Sequence, residues 1–136
     1  MRNPAHILMA DDDRDDQLLF MEAIERSCSG CFCVQSVNNG VELMQRLHDP
    51  SGEVPDIIVL DINMPLKDGL AALREIRSES RYRDVFIFIL STSSRPDDVK
   101  LCKELGCDQY YTKPYHLAEY NRIVADMISR TASVVH

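Results

Sequence analysis

Polar residues capable of chemistry stand directly after several short apolar runs in this chain. Asp11-Asp12-Asp13 follow Ile7-Leu8-Met9-Ala10, and Asp61 follows Ile57-Ile58-Val59-Leu60. Ser91-Thr92-Ser93-Ser94 follow Val85-Phe86-Ile87-Phe88-Ile89-Leu90, and Lys113-Pro114 follow Gln109-Tyr110-Tyr111-Thr112. Carboxylates crowded into one place repel one another, which raises their pKa values unless positive charge neutralises them. A small hard cation with oxygen ligands answers that need, and Mg²⁺ is the natural choice because it accepts one or two carboxylates and keeps several waters. A lysine adds a point charge suited to a phosphoryl oxygen. Metal, lysine, hydroxyl and exposed carboxylate together are what phosphoryl transfer to an aspartate requires, with the carboxylate as nucleophile.

Those groups meet only if the elements between them bring the strand ends to one edge. The pattern along the chain does so. After the first run, Asp15 or Asp16 can cap a segment in which Leu19, Phe20, Ala23 and Ile24 recur at helical spacing. Ser29-Gly30 ends it, and Phe32–Val37 reads as a second strand. Asn39-Gly40 is a turn, and Val41, Leu43, Met44 and Leu47 line a short helix. Pro55 introduces the continuous apolar run Ile57–Leu60, of the kind buried on both faces of a parallel sheet. Met64-Pro65-Leu66-Lys67-Asp68-Gly69 is a loop leading to a helix with Leu70, Leu73 and Ile76, and Ser78–Asp84 is a polar joint. Pro96 sits where a first helical residue belongs, with Asp97 and Asp98 in the favourable first turn and Gly106 as the stop. Gln109–Thr112 is a short fifth strand and Leu117–Ile128 a closing helix. Five strands alternating with five helices predict an α/β fold, a parallel sheet with helices on both faces. Ligands of such sheets bind outside the carboxyl ends of the strands.

Composition fits this reading. The chain has 136 residues, 45% hydrophobic and 27% charged, enough for one globular core. Fifteen basic against 22 acidic side chains leave a net charge of −7. That balance argues against nucleic acid, whose phosphates need clustered Lys and Arg, and against anionic membranes. The apolar runs are too short to span a bilayer, and residues 1–10 have no long apolar stretch of a secretory signal. Five cysteines, an odd number, point to a reducing cytoplasm and free thiols. Cys28-x-x-Cys31-x-Cys33 lacks a fourth ligand at the spacing of a structural zinc site.

The order and spacing of Asp11-Asp12, Asp61-Ile62-Asn63-Met64-Pro65, Asp68-Gly69, the hydroxyl at Ser91 and Lys113-Pro114 resemble the receiver domain of two-component response regulators, from Ile7 to Ile128. The resemblance implies a flavodoxin-like, doubly wound (βα)5 sandwich of three layers with strand order 2-1-3-4-5. It implies a receiver at residues 5–130 and a loose tail at 131–136. Asp61 would be the phosphoacceptor. Asp12, Asp61 and the backbone carbonyl of Asn63 would bind Mg²⁺, with Asp11 acting through a water. Lys113 would contact the phosphoryl group, Ser91 would be the switch hydroxyl with Thr92 beside it, and Tyr110 would be the aromatic switch. The triple acid, the Leu-Lys-Asp-Gly loop and the Ser-Thr-Ser run are most similar to the small regulators paired with bacterial phytochromes.

The resemblance also implies partners. A sensor histidine kinase, a phytochrome among them, or a histidine phosphotransfer protein would supply the phosphoryl group. The surface of the fourth helix, fifth strand and fifth helix would change its affinity for a protein partner or for a second copy. Arg122 and Asp126, four apart on the last helix, could pair across such a dimer. Ser91 keeps the hydroxyl of the more frequent threonine but loses a methyl. Thr92 and Ser93 offer no carboxylate or amide to a hydrolytic water, which leaves Asn63 and implies a moderate phosphate lifetime. Two alternatives are a pseudo-receiver that never takes phosphate and a Mg²⁺ hydrolase with an aspartyl nucleophile. The complete set of acids, hydroxyl and lysine disfavours the first, and the lack of a substrate cap disfavours the second.

Overall fold

A computed structural model describes residues 4–132. Strands and helices alternate throughout: β1 (Ala5–Ala10), α1 (Arg14–Ser27), β2 (Phe32–Val37), α2 (Gly40–His48), β3 (Ile57–Leu60), α3 (Gly69–Ser78), β4 (Phe86–Ser91), α4 (Pro96–Glu104), β5 (Gln109–Thr112) and α5 (Leu117–Arg130). All strands are parallel, in the order β2-β1-β3-β4-β5. The expected topology is therefore present.

Alternation along the strands sends side chains to two cores. Leu8, Ala10, Ile58, Leu60, Ile87 and Ile89 pack with Leu43, Leu47, Leu73 and Ile76 of α2 and α3. Ile7, Met9, Val59, Phe88 and Leu90 pack with Phe20, Ala23 and Ile24 of α1 and Tyr120, Val124 and Met127 of α5. Because β3 and β4 lie between covered faces, their apolar runs are continuous, as buried parallel strands require. The edge strand β2 alternates half-buried and exposed positions over most of its length. Gly106 has φ +104°, a left-handed residue just past the end of α4 where glycine carries no Cβ penalty.

Several expectations need correction. Asp13, not Asp15 or Asp16, caps α1; its carboxylate accepts from the backbone N–H groups of both. The polar joint Ser78–Asp84 contains a 3₁₀ turn, Ser80–Tyr82, and Tyr82 is fully buried with its hydroxyl donating to the Leu47 carbonyl at 2.8 Å. One aromatic among polar residues has no period to reveal it. Tyr110 and Tyr111 alternate along β5, each half-buried against a different core. Cys28 and Cys31 are joined in a disulfide rather than free, because the turn after α1 brings their Cα atoms to 5.5 Å. Cys33, Cys102 and Cys107 are free thiols. Thr131 does not begin a loose tail; it is buried and its hydroxyl donates to the Met127 carbonyl at 2.9 Å. Residues 133–136 of the expected tail lie outside the described residues.

Candidate functional site

Register assembles the site. Leu60 lies beside Ala10 in the β1–β3 pair, so Asp61 follows β3 next to Asp11, and the Asp61 N–H donates to the Ala10 carbonyl at 3.0 Å. Ser91 lies beside Thr112 in the β4–β5 pair, and the Lys113 N–H then donates to the Ser91 carbonyl at 2.7 Å. Side chains from opposite ends of the sequence thus reach one edge.

Lys113 is the hub. Its Nζ lies 2.9 Å from Asp61 Oδ2, 2.9 Å from Asp11 Oδ2 and 2.8 Å from Asp16 Oδ2. Hydrogen-bond alignment is met at Asp61 and Asp16 but not at Asp11, which leaves Asp11 Oδ2 a buried oxygen without a hydrogen-bond donor. Burial pushes the Asp11 carboxyl up to about 6, against the opposing pull of Lys113. Burial on its own lowers the Lys113 pKa, but its contacts with Asp16, Asp11 and Asp61 raise it above the ordinary lysine value. The ammonium therefore stays charged at neutral pH.

The remaining lone pairs are also placed. Asp61 Oδ1 accepts from the Asn63 N–H at 3.0 Å, and Asp11 Oδ1 from the Asp13 N–H at 2.9 Å. Both carboxylates are thereby fixed in Asx turns that aim the other oxygen into the pocket. Asp12 is exposed, and one oxygen each from Asp11, Asp12 and Asp61 lie within 4.8 Å of one another. Three carboxylates, Asp11, Asp16 and Asp61, share a single lysine, and Asp12 adds a fourth to the cluster. This all-oxygen set, with a buried oxygen lacking a donor, fits a hard divalent cation.

Gly69 holds the loop against the acceptor. A Cβ there would lie 2.3 Å from the Asp61 carbonyl oxygen and 2.7 Å from Ile62 Cα, so only glycine allows α3 to start this close to residue 61. Asp68 caps α3 by accepting from the Ala71 N–H. Between them and Asp61, Leu66 takes φ +69° and the Lys67 N–H donates to the Pro65 carbonyl at 2.9 Å, a γ-turn.

On the other side, Ser91 is buried and its Oγ accepts from the Ser93 N–H at 3.3 Å. Thr92 is exposed and lines, with Asn63, Ser93, Ser94, Arg95 and Asp98, a shallow cavity of about 400 Å³. The Tyr110 hydroxyl donates to the Ser93 carbonyl at 2.6 Å, tying the half-buried ring to the loop after β4. Asp11, Asp12, Asp61 and Lys113 are therefore gathered, with Asn63 bonded to Asp61. Ser91, Thr92 and Tyr110 form an adjoining group joined to them through the Ser91–Lys113 backbone bond.

Sequence reasoning missed two residues. Gln17 is buried and its Nε2 donates to the Asp11 carbonyl at 2.6 Å and to Asn38 Oδ1 at 3.0 Å. Asp16 passed for a helix-start acid, although it stands four and seven positions before the core residues Phe20 and Ala23. That spacing puts it at the head of the buried stripe of α1, which was the available signal. On α5, Asp126 accepts from Tyr111 and from Arg130 of its own chain, so it is not held free for Arg122 of a second copy.

Comparison with known proteins agrees with this geometry. Residues 7–125 match the model of the response regulator receiver domain. The transcriptional regulatory protein PrrA of Mycobacterium tuberculosis is 36% identical over 129 residues, covering 93% of this chain and 51% of PrrA. The chain thus spans about half the length of the curated relatives it matches. Among solved structures, the phosphorylated cyanobacterial phytochrome response regulator RcpA superposes with a TM-score of 0.87 at 29% identity, covering 97% of this chain and 96% of RcpA. The Mn²⁺-bound response regulator Rcp1 gives 0.86 at 27% identity, covering 98% of each chain. With residues 7–125 matching that model, the chain belongs to the response regulator receiver domain family.

Proposed function

We propose that this chain is a phosphorylatable switch, a response regulator receiver whose residues 5–130 accept a phosphoryl group on Asp61. The observation that carries the reading is the Lys113 ammonium, held 2.9 Å from the Asp61 carboxylate beside Asp11 and Asp12. Asp61 attacks phosphorus, the bond from phosphorus to a histidine nitrogen of the donor breaks, and the freed imidazole takes up a proton. Lys113 meets the charge on the transferred group, and Ser91 and Thr92 offer hydroxyls to its oxygens. Asp12, Asp61 and the Asn63 carbonyl would hold Mg²⁺, with Asp11 acting through a water. The ion would neutralise charge on the transferred group. Beyond phosphoryl acceptance and slow self-catalysed loss, no enzymatic turnover belongs to this reading.

Phosphorylation draws Ser91 toward the new charge, and Tyr110 leaves the Ser93 carbonyl to follow it. The α4–β5–α5 surface then changes its affinity for a protein partner or a second copy. The donor is a sensor histidine kinase of the phytochrome class or a histidine phosphotransfer protein. Support for that narrower choice is the near end-to-end match with the phytochrome response regulator RcpA. A cytoplasmic location fits such a donor, and among the described residues no helix is long and apolar enough to cross a membrane.

The test is to incubate the protein with Mg²⁺ and acetyl phosphate and weigh it. One phosphate of added mass, absent in Asp61→Asn, supports the switch. No gain supports a pseudo-receiver, and sustained turnover supports a hydrolase.

A further inference from the structure

Lys113 has three carboxylate neighbours, and only two of them belong to the metal cluster. Asp11 and Asp61 sit at strand ends, buried, and gather with Asp12. Asp16 stands apart from that trio on the first turn of α1. Its Oδ2 accepts from Lys113 Nζ at 2.8 Å, the shortest of the three contacts, and its Oδ1 accepts from the Tyr120 hydroxyl of α5 at 3.3 Å.

An ammonium has three protons, and here it donates to Asp61 and Asp16 while Asp11 stands in ion-pair contact at 2.9 Å. A phosphoryl group arriving on Asp61 needs one of those donors. Cation binding at the acidic trio engages Asp11 and Asp61 but leaves Asp16, which stands outside the trio. Asp16 is thus the one acceptor that continues to compete for the lysine while the pocket is loaded.

We propose that Asp16 is a positioning residue that holds Lys113 on the α1–α5 side of the pocket and limits how strongly the ammonium engages the phosphoryl group at Asp61. The inference rests on the phosphoacceptor reading above and names a control element within it. It predicts a protein that takes phosphate from small donors less readily than the acid–lysine set alone would allow.

The experiment measures the rate of phosphorylation against acetyl phosphate concentration at saturating Mg²⁺. Asp16→Asn is expected to lower the half-saturating donor concentration about three- to tenfold. Asp16→Glu should restore it to within about twofold, since the charge returns. Tyr120→Phe, which removes the hydroxyl but keeps the ring, should leave donor saturation unchanged, separating the lysine contact from the α5 contact. In a Lys113→Met background the Asp16→Asn effect should vanish. Unaltered saturation in Asp16→Asn, or an effect that persists without Lys113, overturns the role of Asp16. If the wild type itself gains no phosphate, the phosphoacceptor reading fails first and this inference falls with it.

Discussion

Replacing Lys113 by methionine keeps the unbranched stem and removes the charge at the centre of the site. The structure sets the size of the effect. Asp11 and Asp61 are 1% and 5% exposed and each lies 2.9 Å from Nζ, so the variant leaves two buried carboxylates facing one another without a counter-ion. Removing one partner of a buried ion pair costs about 3–5 kcal/mol. Asp16 is half-buried and can turn toward water, which places the loss near the lower end, about 3 kcal/mol. An unfolding entropy of about 2.1 cal/mol/K per residue gives roughly 0.29 kcal/mol/K for 136 residues, so Tm should fall about 10 °C in EDTA. Divalent cations should then stabilise the variant more than the wild type, because ion and ammonium compete for the same oxygens. At tenfold excess over its Kd an ion contributes about 1.4 kcal/mol, or about 5 °C. Differential scanning calorimetry in EDTA and across a Mg²⁺ titration reads both quantities. A variant melting within about 2 °C of the wild type in EDTA, or responding to Mg²⁺ no more than the wild type does, would show that Lys113 does not counter these carboxylates.

Two further outcomes follow from the same geometry. Asp12 is exposed yet completes the acidic trio, so Asp12→Ala should abolish the Mg²⁺-induced rise in Tm and leave the melting temperature in EDTA unchanged or higher; a retained response removes Asp12 from the cation site. Gly69→Ala should destabilise by about 1–3 kcal/mol, a Tm loss of about 3–10 °C, because its Cβ meets backbone atoms of residues 61 and 62 that cannot swing away. Slower phosphorylation should accompany that loss as Asp61 shifts, and an unaltered melt would show that α3 can move off at no cost.

The parts of this protein legible in its sequence are those where burial on both faces leaves no ambiguity. Ile57–Leu60 and Phe86–Leu90 read as strands because every position is apolar, and the polar residues after them had to stand at the sheet's carboxyl edge. The acidic pair, Asp61 and Lys113 followed from that placement. What escaped is what depends on packing across elements. Tyr82 closes the core from within a polar joint, anchored by a hydroxyl bond to a carbonyl 35 positions earlier. Asp16 looks like its neighbours Asp13 and Asp15 until the helix turns it inward toward Lys113, 97 positions away. The Cys28–Cys31 link depends on the path of one short turn, which residue types alone do not define. Leu66, at positive φ, is no glycine or asparagine and gave no cue that the loop bends there.

Everything proposed for this site depends on the Asp61 carboxylate, held beside Lys113, being the group that takes the phosphoryl. Reduction of the acetyl-phosphate-treated protein with borohydride converts an aspartyl phosphate to homoserine, and peptide mass spectrometry then locates it. Homoserine is expected at position 61 and nowhere else, dependent on Mg²⁺. Homoserine at Asp11, Asp12 or Asp16, or an unmodified residue 61 in protein that has gained phosphate, would contradict it.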